Sequence, residues 1–83
     1  MVMNYYVYIL ESINKKTYYI GQTNNLLKRV QEHNTGRSKS TKPSMPWKLV
    51  YSKECQNRSE AVKLERKIKG YKKRIYIERF INN

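Results

Sequence analysis

The sequence has no aspartate and a single cysteine. Without Asp, paired-Asp catalysis, Asp-bearing triads, the usual calcium-binding loop and two-metal centres built from clustered Asp residues are all excluded. Catalysis, if any, must run on Glu, Tyr, His, Ser, Arg or Lys. The lone Cys55 cannot close an intramolecular disulfide or form a multi-thiolate zinc site; it reads as a small buried apolar residue in a reducing, cytoplasmic setting. No apolar run is long enough to span a bilayer. The stretch from Met1 to Leu10 has neither a basic start nor a small-residue cleavage site, so it does not read as a signal peptide.

Negative charge is also scarce. Eighteen Lys and Arg face six Glu in 83 residues, a net charge of +12. A chain of this length reads as one domain over residues 1–83, able to bury roughly 60% of the surface its unfolded form exposes. The cations are concentrated. The segment RSKSTKPSMP, from Arg37 to Pro46, carries Arg37, Lys39 and Lys42 with no acid and reads as an exposed cationic loop. Seven of the twelve residues from Lys63 to Arg74 are basic: Lys63, Arg66, Lys67, Lys69, Lys72, Lys73 and Arg74. A solvated charged face mixes signs, whereas this one does not, which points to phosphate contact and a polyanionic partner. An anionic membrane surface would instead require a clean amphipathic helix with bulky apolar residues, which is not evident.

The pattern of elements is mixed. YYVYIL (5–10) and TYYI (17–20), separated by Asn14-Lys15-Lys16, predict a β-hairpin. Alternation places Tyr6, Tyr8 and Leu10 on one face and Tyr5, Val7 and Ile9 on the other, so both faces should be covered. After Gly21 the pattern turns helical. NLLKRVQEHN has Leu26, Leu27 and Val30 on one side, Thr23 or Asn24 as N-cap and Gly36 as a left-handed terminator. WKLVYSKEC predicts a third strand. NRSEAVKLERKIKGYKK then opens with Asn57 or Ser59 as cap, shows helical spacing at Ala61, Leu64 and Ile68, and ends or kinks at Gly70. A final helix over KRIYIERFI would pack Tyr76, Ile77, Phe80 and Ile81 on the sheet.

Several residues do not fit a plain core. Glu65 falls on the apolar stripe of its helix, where a carboxylate needs a partner. An ion pair with Arg29, Arg66 or Lys69 would satisfy it, as would a bound cation or an edge position reaching solvent. Arg29 and His33, four apart, neighbour each other on the first helix and could face a common ligand. Equally, Arg29 could be a solvated cation and His33 a buried ring satisfied by a backbone carbonyl. Gly21 permits close backbone approach or a positive φ ahead of a helix N-terminus able to bind phosphate, though a tight turn would use the same residue. A Tyr can act as a base only with a lowered pKa or a relayed proton.

Taken in order, Tyr6-Val7-Tyr8 in a first strand, Tyr19-Ile20-Gly21 ending a second, Arg29 eight residues later and Glu65 on a later helix resemble the GIY-YIG nuclease domain. QTNNLLKRVQEHN, Leu49-Val50-Tyr51 and the segment from Ser59 to Lys69 match as well, so the resemblance spans nearly the whole chain. It is closest to the small stand-alone bacterial members. The resemblance implies an α/β (α+β) sandwich, a central three-stranded antiparallel sheet flanked by helices, that hydrolyses DNA phosphodiesters with one divalent ion, Mg²⁺ or Mn²⁺. By carry-over, Glu65 is the metal ligand, Arg29 holds the scissile phosphate, Tyr8 is the general base, Tyr19 orients Tyr8 or the water, and His33 matches an active-site His of some members. Gly21, Gln22, Arg37, Lys39, Lys42, Lys63, Arg66, Lys67, Lys69, Lys72 and Lys73 would meet DNA. Two positions depart from the family pattern: Gln22 stands where repair nucleases often carry Lys, and Ile77 stands where some members carry Asn, this chain having Asn in that region at 82 and 83. The expected function is a metal-dependent endonuclease or nickase of DNA repair, recombination or processing, with a partner protein or a homodimer supplying specificity. A non-catalytic basic nucleic-acid-binding module and a basic structural protein of a larger assembly are the alternatives.

Overall fold

The computed structural model describes residues 4–82; Met1 to Met3, which begin the N-terminal stretch read above, and Asn83 lie outside it. The elements are β1 (Tyr5–Ser12), β2 (Tyr18–Thr23), α1 (Leu26–Asn34), a 3₁₀ turn (Lys42–Ser44), β3 (Trp47–Cys55), α2 (Arg58–Lys69) and α3 (Arg74–Ile81). The three strands form one antiparallel sheet in the order β2-β1-β3. The expected α+β class, a three-stranded antiparallel sheet flanked by helices, is what forms.

Side-chain alternation along β1 builds two cores. Val7 and Ile9 face α2 and α3, packing with Cys55, Ala61, Ile68 and Ile77 and, at the margin, Tyr18, Ile20, Leu64 and Phe80. Tyr8 and Leu10 face the other way and pack with Trp47, Tyr19, Leu26, Val30 and Met45. Val7, Ile9 and Leu10 are fully buried, as a central strand covered on both faces requires. The burial of Cys55 agrees with its reading as an apolar residue.

Several expectations need correction. β2 continues through Thr23, so Gly21 lies inside a strand, with no turn or helix start at that point. The N-cap of α1 is Asn25, whose Oδ1 accepts from the Lys28 N–H at 3.2 Å, in place of Thr23 or Asn24. Leu27 points to solvent, 84% exposed, because the stripe that packs on the sheet runs through Leu26, Val30 and His33. Tyr76 is 45% exposed, one position off the face of α3 that carries Ile77, Phe80 and Ile81 inward. The basic segment from Arg37 to Pro46 exposes its cations yet is folded: Thr41 is buried, and Ser44 accepts from the Ser12 hydroxyl at 2.7 Å.

Gly36 does take the left-handed conformation expected of it, at φ +80°. Of the two caps open for α2, Asn57 is the one used: its Oδ1 accepts from the Glu60 N–H at 2.9 Å, while Glu60 accepts from the Gln56 N–H at 3.1 Å. Gly70 caps the other end. Asn57→Ala is therefore expected to cost about 1 kcal/mol, a fall of roughly 4–8 °C in Tm for a domain of this size, while Ser59→Ala stays close to wild type; thermal unfolding followed by circular dichroism checks both.

Candidate active site

Four elements converge on a cleft of about 370 Å³ lined by Tyr5 and Tyr8 of β1, Tyr19, Gly21, Gln22 and Thr23 of β2, Asn24 and Arg29 at α1, and Arg58 and Glu65 of α2. The cleft wraps the edge strand β2. Tyr19 and Gly21 belong to the α1 face of that strand, whereas Ile20 and Gln22 belong to the α2 face. The site thus takes Tyr8, Tyr19 and Arg29 from one layer and Tyr5 and Glu65 from the other.

Gly21 allows this arrangement. It pairs directly with Tyr8 across the β1–β2 ladder, and a Cβ on residue 21 would stand 2.7 Å from the Tyr8 hydroxyl oxygen and 2.9 Å from Cζ. Hydrogen in place of a side chain lets the Tyr8 ring lie across the edge strand and reach the cleft. No positive φ is involved; the close backbone approach anticipated at this residue is the operative reason.

Tyr8 is buried and its hydroxyl lies 2.9 Å from His33 Nε2. The other ring nitrogen, Nδ1, lies 2.8 Å from Thr41 Oγ1, and the Thr41 hydroxyl donates to the Ser38 carbonyl at 3.3 Å. Thr41 spends its single proton on Ser38, so its oxygen accepts from Nδ1–H, and Nε2 is left to accept from the Tyr8 O–H. Burial, with the nearby Arg29 charge, lowers the His33 pKa and keeps the ring neutral. Burial, aided by Tyr19, pushes the Tyr8 phenol up to about 12. Tyr19 packs on the His33 ring at a centroid distance of 4.8 Å and lies 6.3 Å from the Tyr8 ring.

Arg29 is held by Glu32 at 3.0 Å and leaves its side chain 34% exposed. Burial opposes its charge, but hydrogen bonding with Glu32 and Tyr8 outweighs that and raises its pKa. Glu65, with 16% of its side chain exposed, accepts from Gln22 Nε2 at Oε1 (2.8 Å) and pairs with Lys69 Nζ at Oε2 (2.7 Å). Of the ion-pair partners open from the sequence, Lys69 is the one used. Gln22, expected at the DNA, is on its cleft-lining side a partner of Glu65.

The structure brings Tyr8, Tyr19, Arg29, Glu65, Gly21 and Gln22 together. His33 stands behind Tyr8, outside the cleft lining. Arg37, Lys39, Lys42, Lys63, Arg66, Lys67, Lys72 and Lys73 are exposed elsewhere. Lys63 and Lys67 flank a separate groove beside Cys55 and Glu60, and the Lys42 stem lies near Gly36. Ile77, at the departed Asn position, is buried in the core under α2 and takes no part in the cleft. Sequence reasoning missed Arg58, although it precedes Glu65 by seven residues, two turns along the same helical face. Thr41 carried no sequence signal at all.

Among the described residues no group of three or more His, Cys, Asp or Glu could hold a metal ion. Glu65 offers a single carboxylate on the cleft wall that has already drawn a cation, the Lys69 ammonium. That donor set suits a hard, hydrated ion such as Mg²⁺, which keeps several waters and takes one or two protein carboxylates with substrate phosphate, and it does not suit a structural zinc site.

Comparison with known proteins shows the family. The family model described as the GIY-YIG catalytic domain matches residues 4–79. The chain belongs to this family, and so to a nuclease superfamily whose implied substrate class is DNA and whose members generally use divalent metal ions. Its relatives are small single-domain proteins. It is 47% identical over 66 residues to a UPF0213 protein of Syntrophus aciditrophicus (strain SB), covering 77% of this chain and 75% of that one. It is 34% identical over 79 residues to the UPF0213 protein YazA of Bacillus subtilis (strain 168), covering 90% and 79%. The solution NMR structure of the UPF0213 protein BH0048 from Bacillus halodurans superposes with a TM-score of 0.61 at 31% identity, covering 96% of this chain and 84% of that one. No helix among the described residues is long and apolar enough to cross a membrane.

Two outcomes test the site. Gly21→Ala should destabilise by about 1–3 kcal/mol, the usual cost of overpacking, in urea denaturation. His33 is neutral in the fold and titrates below the usual value of about 6.5, so the unfolded chain takes up a proton first as the pH falls. Stability should therefore be complete above that value and decline as the pH drops through it. Tm measured from pH 7.5 to 5.5 should show this decline, and His33→Gln should flatten it.

Proposed function

We propose that the protein is a divalent-metal-dependent endonuclease or nickase that hydrolyses DNA phosphodiesters in repair, recombination or processing, acting in the cytoplasm. The observation that carries the reading is the convergence of Tyr8, Tyr19, Arg29 and Glu65 from four elements on one cleft. Arg29 donates charge-assisted hydrogen bonds to the scissile phosphate and offsets the charge that develops on its oxygens. Water attacks phosphorus, one P–O ester bond breaks, and the departing oxygen takes a proton from solvent to leave as a hydroxyl. Tyr8 takes the water proton as its own passes to His33 Nε2, so a phenol with a pKa near 12 serves as a base through its neighbour without ever becoming a free phenolate. Tyr19, packed at a tilt against the His33 ring, fixes the position of that pair.

Glu65 holds the metal, one Mg²⁺ or Mn²⁺, with Gln22 orienting the carboxylate. When bound, that ion supplies Lewis-acid stabilisation of the phosphoryl and leaving oxygens. Gly21 and Gln22 in the cleft, together with the exposed Arg37, Lys39, Lys42, Lys63, Arg66, Lys67, Lys69, Lys72 and Lys73, contact the DNA backbone without reading sequence, and Arg58 joins them from the cleft wall. Substrate choice then falls to DNA shape, a partner protein or a homodimer.

One observation favours a second reading, a non-catalytic nucleic-acid-binding module: the high pKa of Tyr8 makes it a reluctant base. Incubation with labelled duplex, single-stranded and branched DNA, in Mg²⁺, Mn²⁺ or EDTA, separates the two. We expect metal-dependent products that disappear in Glu65→Gln and fall roughly 10²- to 10³-fold in Arg29→Ala, with salt-sensitive binding retained in Glu65→Gln. Cleavage that survives Glu65→Gln would overturn the assignment, and binding without any product would establish the module.

A further inference from the structure

The two oxygens of Glu65 are held by groups of different kinds. Gln22 is neutral, comes from β2 and donates to Oε1 at 2.8 Å. Lys69 is a cation one turn further along α2, its side chain 55% exposed, and sits 2.7 Å from Oε2. An amide donor on one oxygen is compatible with a cation on the other. Two cations at one oxygen are not, because like charges at contact distance repel strongly in a partly desolvated cleft. The pair is a single i,i+4 contact whose Lys69 side is open to solvent, so the ammonium can be rehydrated as it leaves.

We propose that Lys69 is the displaceable counter-ion of Glu65 and hands its charge to DNA when a divalent cation takes the carboxylate, so that metal and DNA bind with positive cooperativity. The inference rests on Glu65 being the metal ligand. Lys69 can neutralise the carboxylate or a phosphate, but not both at once. A phosphate that draws Lys69 away bares Oε2, and a cation at Oε2 frees Lys69 for the phosphate; linkage makes the two effects equal. This division of labour also gives a physical reason for Gln at position 22. A Lys there would place a second ammonium beside Lys69 on the same carboxylate, whereas the amide orients Glu65 and leaves one cation to be displaced.

The test measures Mn²⁺ binding to the whole chain by electron paramagnetic resonance of the free ion, in wild type, E65Q, K69M and K67M. Lys67 is two residues from Lys69 on an exposed part of α2 and makes no ion pair with Glu65, so K67M reports the general effect of losing one charge. K69M should tighten Mn²⁺ binding roughly threefold or more, on the scale of a weak ion pair, and clearly more than K67M. Equal effects of K69M and K67M would overturn the inference, and so would weaker binding in K69M. Wild-type binding unchanged in E65Q would instead overturn the metal assignment itself. A second measurement follows a fluorescein-labelled duplex by anisotropy in EDTA and in Ca²⁺: wild type should gain more DNA affinity from Ca²⁺ than K69M does, and an equal gain in both would overturn the hand-over.

Discussion

The Tyr8 phenol crosses the edge strand above Gly21, with 2.7 Å between its oxygen and the point where a Cβ would begin, and the rest of the site is arranged around that crossing. A central strand with both faces covered would ordinarily bury a tyrosine hydroxyl where it could do nothing. Here the missing side chain on the neighbouring strand opens a path from the core to the cleft. The same crossing brings the hydroxyl to His33, and a neutral His33 requires something to fix its tautomer. Thr41 does so from a loop whose other contacts, the Ser12–Ser44 hydrogen bond and the Trp47 Nε1–H donated to the Thr41 carbonyl at 2.9 Å, hold it against the sheet. The basic loop is therefore also the back wall of the candidate proton path.

Charge is distributed with similar economy. Among the described residues, four of the six glutamates are spent on ion pairs: Glu32 with Arg29, Glu65 with Lys69, and Glu11 and Glu78 with Arg74. Arg74 also reaches the Lys16 carbonyl, so it latches α3 to the β1–β2 hairpin, which removes it from the run of phosphate-facing cations to which its sequence position assigns it. What remains is a broad excess of lysine and arginine on the exposed surface, a field suited to a phosphate backbone. The pairs at Arg29 and Glu65 lie in the cleft, where a phosphate and a cation would each compete for one member of a pair.

Much of the fold was legible from periodicity. The alternation of YYVYIL, the span of the third strand from Trp47 to Cys55 and the Ala61, Leu64, Ile68 stripe are consequences of backbone geometry that any packing must respect. The misreadings fell where packing arbitrates between equivalent local choices. Leu27 and Tyr76 are apolar enough for a core, but each lies about one helical position off the direction that the sheet selects. Asn24 and Asn25 are equal as caps until the chain leaving β2 fixes where the first turn starts. Gly21 was placed at the end of its strand, with close approach, a positive φ and a tight turn all open, because a glycine does not say which neighbour needs its space.

By itself the sequence determined the class of fold, the polyanion-seeking charge and the short set of residues able to do chemistry, because period, charge and side-chain inventory are properties of the chain before it folds. Only the tertiary structure decided which of those residues meet. Glu65 could have paired with Arg29, Arg66 or Lys69; it is the approach of β2 to α2 that gives it Gln22, while the cation it takes is Lys69, one turn along its own helix. His33 could have rested on any backbone carbonyl, and it is the fold of a distant loop that supplies Thr41. A hydrogen bond needs its partners within about 3 Å, and contacts between residues 8 and 33, or 22 and 65, are fixed by the packing of whole elements, which no local spacing encodes.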